Sequence, residues 1–154
     1  MFQEYALDND SRCGFCDIGP ESIFHLFGTC EKLKHVWEVL KEAVSLLFDI
    51  HFDFKQHRID LHLDLCNINC NPLHEKTLIY LNSVVNYSIW KMRNDVRYKS
   101  ESFDQKILLK KVLRSIGGRR NIDRELSPSH QLPYIKELYE AMVVAYHAFP
   151  FDNG

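Results

Sequence analysis

CGFCDIGPESIFHLFGTC, residues 13–30, runs without a break into EKLKHVWEVLKEAVSLLFDI, residues 31–50. The first stretch spaces its metal-binding side chains as Cys13-x2-Cys16-x8-His25-x4-Cys30. A Cys-x2-Cys turn aims two thiolates at one centre, about 2.3 Å from each sulfur for zinc, and the following loop returns an imidazole and a third thiolate. Four protein ligands fill a tetrahedron and leave no position for water or substrate, so the pattern predicts a structural Zn2+ site. Gly14 is expected to let the backbone fold back on the metal. Such modules draw about 10 kcal/mol or more of folding free energy from the ion. The second stretch places Leu33, Val36, Trp37, Leu40, Val44, Leu47 and Phe48 at helical spacing, the clearest amphipathic helix in the chain.

Beyond residue 50 the periodicity weakens and then returns. In 51–72, Phe52 and Phe54, then Leu61, Leu63 and Leu65, alternate with polar neighbours, which permits short strands before Asn67, Asn69, Asn71 and Pro72 end the segment. Residues 73–98 predict a long helix with Leu78, Leu81, Val85, Ile89, Met92 and Val96 on one side. Ser102 is placed to cap a third helix, with Gln105 at the capping-box position and Ile107, Leu108, Val112, Leu113 and Ile116 inward. Gly117-Gly118 is expected to stop it, and 121–131, with Ser127-Pro128, reads as a linker to a last helix over 133–148. The expected fold is mostly α: a zinc-knuckle-like module at 1–30 and a helical domain at 31–154 packed on it as one unit, with room for a short β-hairpin.

The 154 residues are 45% hydrophobic, enough for a single-domain core. MFQEYALDND has neither a basic start nor an apolar run, and no apolar stretch is free of charge long enough to span a bilayer. Five cysteines cannot all pair within one chain, which favours metal over disulfides and an intracellular setting, nuclear or cytoplasmic. The net charge of −2 conceals an asymmetry: residues 1–90 hold 13 acidic and 7 basic side chains, residues 91–120 hold 10 basic and 3 acidic. Lys106, Lys110, Lys111 and Arg114, with Arg119 and Arg120 in a flexible turn after the glycines, are the candidate phosphate contacts. Trp37 and Trp90 both fall on apolar stripes and read as core.

The stretch from Cys13 to Cys30, with its acidic-x-hydrophobic-x-His-Leu-aromatic centre at Glu21 to Phe27 and the Trp37 helix behind it, resembles the zinc-binding region that lies C-terminal to the polymerase in non-LTR retrotransposon reverse transcriptases. IWKMRND, residues 89–95, resembles a Trp-x2-Arg-Asn element downstream of that region in some of these proteins. The resemblance implies a non-catalytic accessory to a reverse transcriptase, or a derivative of one, that binds the element's RNA or its target DNA. Eight residues between Cys16 and His25 distinguish the pattern from the retroviral nucleocapsid knuckle, which has four. The restriction-like nuclease found in some such elements needs a Pro-Asp followed by an acidic-x-Lys, and no such combination occurs here, nor do the paired aspartates of the polymerase.

His62, Cys66, Cys70 and His74 recur at intervals of four, but four successive i, i+4 positions spread too far along a helix axis to close on one ion. Buried cysteines and surface histidines are the simpler reading. With no nucleophile–base pair, phosphate-cradling glycine loop or Gly-x-Ser-x-Gly elbow, the expected function is binding rather than catalysis, with no small-molecule substrate. Nucleic acid is the expected partner. The competing class is a protein-interaction module, with Phe149 and Phe151 in the tail as its candidate contacts.

Overall fold

The computed structural model describes residues 12–18, 21–23, 25–48 and 72–148. A π-helical turn, His25–Thr29, and a 3-10 turn, Glu31–Leu33, lead into helix α1, Lys34–Phe48. Helices α2, Pro72–Tyr98, and α3, Gln105–Asp123, follow. A second 3-10 turn, Pro128–His130, precedes α4, Ile135–Ala148. The fold is mostly helical with a Cys/His cluster near its N-terminus, and there is no strand among the described residues. The residues expected to permit strands and Cys66 and Cys70 lie outside the described residues, as do Phe149 and Phe151. No described helix is long and apolar enough to cross a membrane.

The core is built as the helical spacing predicts. Leu33, Val36, Trp37, Leu40 and Val44 are buried on α1, joined by Val39 and Ala43, so a broad face of this helix is out of water. It packs chiefly on α4, through residues such as Leu138, Met142 and Ala145; α4 packs on α3, and α3 on α2. Each fully buried Val, Leu or Ile contributes about 1.5–3 kcal/mol of transfer free energy, which makes these faces the main source of helix stability. Leu26 and Phe15, from the cysteine-bearing loop, join the same core. The loop is therefore continuous with the helical domain.

Two expectations need correction. The helix cap is Asp104, not Ser102: its backbone is extended and its Oδ1 accepts the Lys106 N–H at 2.9 Å. The start shifts because Phe103 reaches back to the Phe15 ring, with centroids 4.2 Å apart, which holds residues 101–104 out of the helix. Gly117-Gly118 does not end α3, which continues to Asp123. A Cβ on Gly117 would meet Tyr139 Cε2 at 3.0 Å, so this glycine allows α4 to approach closely, whereas a Cβ on Gly118 meets nothing within 4 Å. Gly118→Ala should therefore raise stability by about 1 kcal/mol, the helix-propensity difference. Gly117→Ala should lower it by displacing the Tyr139 ring. Urea unfolding of the two variants checks this; equal effects of the two would contradict the packing argument.

Candidate metal centre and basic face

The cysteine loop is shaped by its own backbone. Asp17 N–H donates to the Cys13 carbonyl at 2.9 Å, closing a turn around Gly14, Phe15 and Cys16, and Asp17 itself takes a left-handed φ of 57°. Gly14 does not have a positive φ, and a Cβ there would make only ordinary contacts, so the conformational reason expected for this glycine does not hold. Ser22 Oγ accepts the His25 N–H at 3.0 Å and starts the π-helical turn. The Cys30 N–H then bonds the His25 carbonyl at 2.8 Å. That i→i+5 bond sets residue 30 over residue 25, a use of the π-turn common at functional sites. Cys30 also caps the 3-10 turn that opens into α1. One of the four candidate ligands is thus placed directly before the first helix of the domain.

Cys13, Cys16, His25 and Cys30 bring their donor atoms within 4.8 Å of one another. Cys13 Sγ lies 3.8 Å from Cys30 Sγ, and Cys16 Sγ lies 3.2 Å from His25 Nε2. Ligands at 2.0–2.3 Å around a tetrahedral ion have edges of about 3.5–3.8 Å, so the cluster has the size of a metal site. The four residues could hold a metal ion and could form a zinc site. The Cys30 thiol, donating to the Cys13 sulfur, lowers the Cys13 pKa to about 5 against the opposing effect of burial. The Cys16 and Phe15 N–H groups assist. The Cys30 thiol is raised correspondingly, by its bond to Cys13 and by burial. A metal ion bound here would take the place of the thiol protons, since thiolates are the ligands.

Behind the loop stands a buried ion cluster for which the sequence carried no spatial signal. The Glu21 side chain is 3% exposed and that of Arg93, on α2, 1%. Arg93 Nε donates to Glu21 Oε1 at 2.9 Å, and Arg93 Nη2 lies 2.8 Å from the same oxygen. Glu21 Oε2 accepts the Gly14 N–H at 3.0 Å and faces Arg97 Nη2 at 3.3 Å. Arg97 Nη2 also donates to the Arg12 carbonyl. The carboxylate therefore joins the Cys13–Cys16 turn to α2. It also brings the two sequence elements singled out separately, Glu21 to Phe27 and residues 89–95, into direct contact.

The basic residues of 91–120 divide sharply. Arg93 and Arg97 are engaged with Glu21. Arg119 and Arg120 lie on the helix, not in a flexible turn. Arg119 Nε donates to buried Asp123 Oδ1 at 2.7 Å and its guanidinium lies 5.6 Å from the Tyr80 ring centroid. Asp123 Oδ2 in turn accepts the Leu132 N–H at 2.7 Å, tying the end of α3 to the lead-in of α4. The Arg120 guanidinium stacks 4.4 Å from the Tyr139 centroid. Lys106, Lys110 and Arg114 are exposed, and Lys111 is half-buried. Of the second candidate cluster, only His74 is described; its ring sits edge-on to Tyr134 at 5.0 Å. Trp37 is in the core as expected, but Trp90 is 37% exposed.

No family model matches the chain, and no curated protein or solved structure matches it either.

Cys16→Ser should yield protein without stoichiometric metal by elemental analysis, while the unaltered chain carries one ion. A normally folded, metal-free parent chain would count against the site. Glu21→Gln should lower unfolding free energy by about 3 kcal/mol, because it leaves two guanidinium groups without their counter-charge. Arg93→Lys should not match the parent, since an ammonium cannot reproduce the paired guanidinium contacts. Denaturant titration measures both, and a loss below about 1 kcal/mol for Glu21→Gln would show the cluster to be dispensable.

Proposed function

We propose that this chain is a non-catalytic, zinc-stapled helical domain that binds nucleic acid. On this reading it acts as the C-terminal accessory region of a reverse transcriptase of the non-LTR retrotransposon kind, or as a derivative of one. Zinc is the metal that a three-thiolate, one-imidazole donor set favours. Four protein ligands would close its coordination sphere, which leaves the ion a structural role. The resemblance of 13–37 and 89–95 supports the assignment to that class of protein. The Glu21–Arg93 contact gives those two stretches a shared structural purpose.

The observation that carries the binding role is the outer face of α3. Lys106, Lys110 and Arg114 follow at i, i+4 and i+8, all exposed, opposite buried Leu108, Leu109, Val112 and Ile116. No acidic residue occurs on α3 before Asp123. Like charges at i, i+4 repel by a few tenths of a kcal/mol, so the stripe does not serve helix stability. A row of cations with about 6 Å between successive members suits a polyanion backbone. Lys111 lies beside the row. Arg119 and Arg120 are held by Asp123 and Tyr139 and belong to the fold.

Reversing Lys106, Lys110 and Arg114 together to Glu should abolish binding to single-stranded and duplex probes alike while leaving the melting temperature nearly unchanged. In the parent chain, log affinity should fall against log salt with a slope of about −2 to −3, as three phosphate contacts would give. Filter binding at several salt concentrations checks both. Affinity that is independent of salt, or binding that survives the triple reversal, would overturn the role given to α3.

A further inference from the structure

The aromatic side chains on the solvent face of α2 have no part in the core. Tyr87 is 66% exposed, Trp90 37% and Tyr98 62%. At 100° per residue, positions 87, 90, 94 and 98 share one side of the helix, with Lys91 beside them, and the three rings span about 16 Å of its axis. Burying rather than exposing rings of this size is the ordinary outcome, so an exposed row of three is an observation that asks for a ligand.

The row is also braced. The Arg93 guanidinium, held by Glu21, lies 5.6 Å from the Trp90 centroid and 5.7 Å from the Tyr98 centroid. A fixed cation against two rings limits their rotamers, and a pre-ordered ring costs less entropy when a partner stacks on it. Along α2 itself the charge beside the row is mostly basic. Between Lys76 and Lys99 the acidic residue is Asp95, which is buried and paired with Lys99 at 3.4 Å, while Lys91 is exposed. Exposed rings with a cation among them, and no exposed carboxylate on α2 between Lys76 and Lys99, complement a strand of unpaired bases on a phosphodiester backbone.

We propose that the Tyr87–Trp90–Tyr98 face of α2 stacks unpaired bases, so that the domain selects single-stranded over duplex nucleic acid. The proposal rests on the nucleic-acid reading above and adds the form of the ligand. In a duplex the bases already stack on one another, and side chains reach their faces only by unstacking a step. In a single strand they are available. The α3 cations would then supply affinity for any phosphate backbone, and the α2 rings the preference for an unpaired one.

The test uses the metal-loaded full chain with a thymidylate dodecamer and with its duplex against complementary adenylate. The single strand should bind at least ten-fold more tightly. Indole emission should be quenched on binding, and the quench should vanish in Trp90→Phe, because Trp37, the other tryptophan, is 2% exposed in the core. Tyr87→Ala should cost the single strand about ten-fold and the duplex little, while Tyr87→Phe, which keeps the ring, should bind as the parent does. Equal affinity for strand and duplex, with Tyr87→Ala without effect, overturns the stacking face and leaves the α3 reading intact. Single-strand binding that persists after reversal of the α3 cations overturns that reading and leaves this one. Binding of neither probe at low salt overturns both, and would make this face a contact for protein.

Discussion

Glu21 is a carboxylate taken out of water, and desolvation of that kind costs several kcal/mol unless the charge is met on all sides. Here it is met by Arg93, by Arg97 and by the Gly14 N–H. The consequence is geometric as much as energetic. The cysteine-bearing loop is held against a long helix by a charge that cannot leave without exposing two guanidinium groups. The Phe15–Phe103 contact and the Leu26 side chain add apolar area on either side of that pair. The Cys/His cluster, the 3-10 turn that Cys30 opens ahead of α1 and the position of α2 are consequently parts of one arrangement.

The same chemistry recurs at the other end of the domain. Asp123 is a carboxylate at the C-terminus of α3, where the helix macrodipole disfavours it. Arg119, one turn earlier, and the Leu132 N–H offset that cost and fix the passage into α4. In both places arginine does the internal work, because its planar fork can meet a carboxylate and rest against a ring at once. Lys106 and Lys110 remain outside, with Arg114 between turns of the same stripe. A basic segment that looks uniform in the sequence is therefore divided by chemistry into an inner set that builds the fold and an outer set facing solvent.

Much of this was legible before the structure. Helical periodicity located α1, α2 and α4 to within a residue or two or three, since the buried positions recur at the spacing that a single core imposes. The Cys13-x2-Cys16-x8-His25-x4-Cys30 spacing singled out four side chains whose donor atoms lie within 4.8 Å of one another. What escaped was whatever depends on contacts between distant parts of the chain. Nothing local tells Arg93 to pair with a residue 72 positions earlier. Gly117-Gly118 read as a stop because glycine is a weak helix former, yet packing against Tyr139 carries α3 through it. Ser102 had the local credentials of a cap and lost to Asp104 because Phe103 is drawn to Phe15. Trp90 read as core from its apolar neighbours, yet at 100° per residue it lies about 140° from Val85 at the centre of the buried face, and it is 37% exposed.

If the buried carboxylate couples the loop to the helices, metal binding must respond to a change on α2, far along the chain from any ligand. Zinc affinity by chelator competition, for the parent and for Arg93→Met under conditions where far-ultraviolet circular dichroism shows the helices intact, tests this most directly. The account predicts a loss of at least ten-fold, equivalent to about 1.4 kcal/mol, which is a fraction of the 3–5 kcal/mol that breaking a buried pair costs. An unchanged zinc affinity in Arg93→Met would contradict it and make the loop and the helical domain independent units.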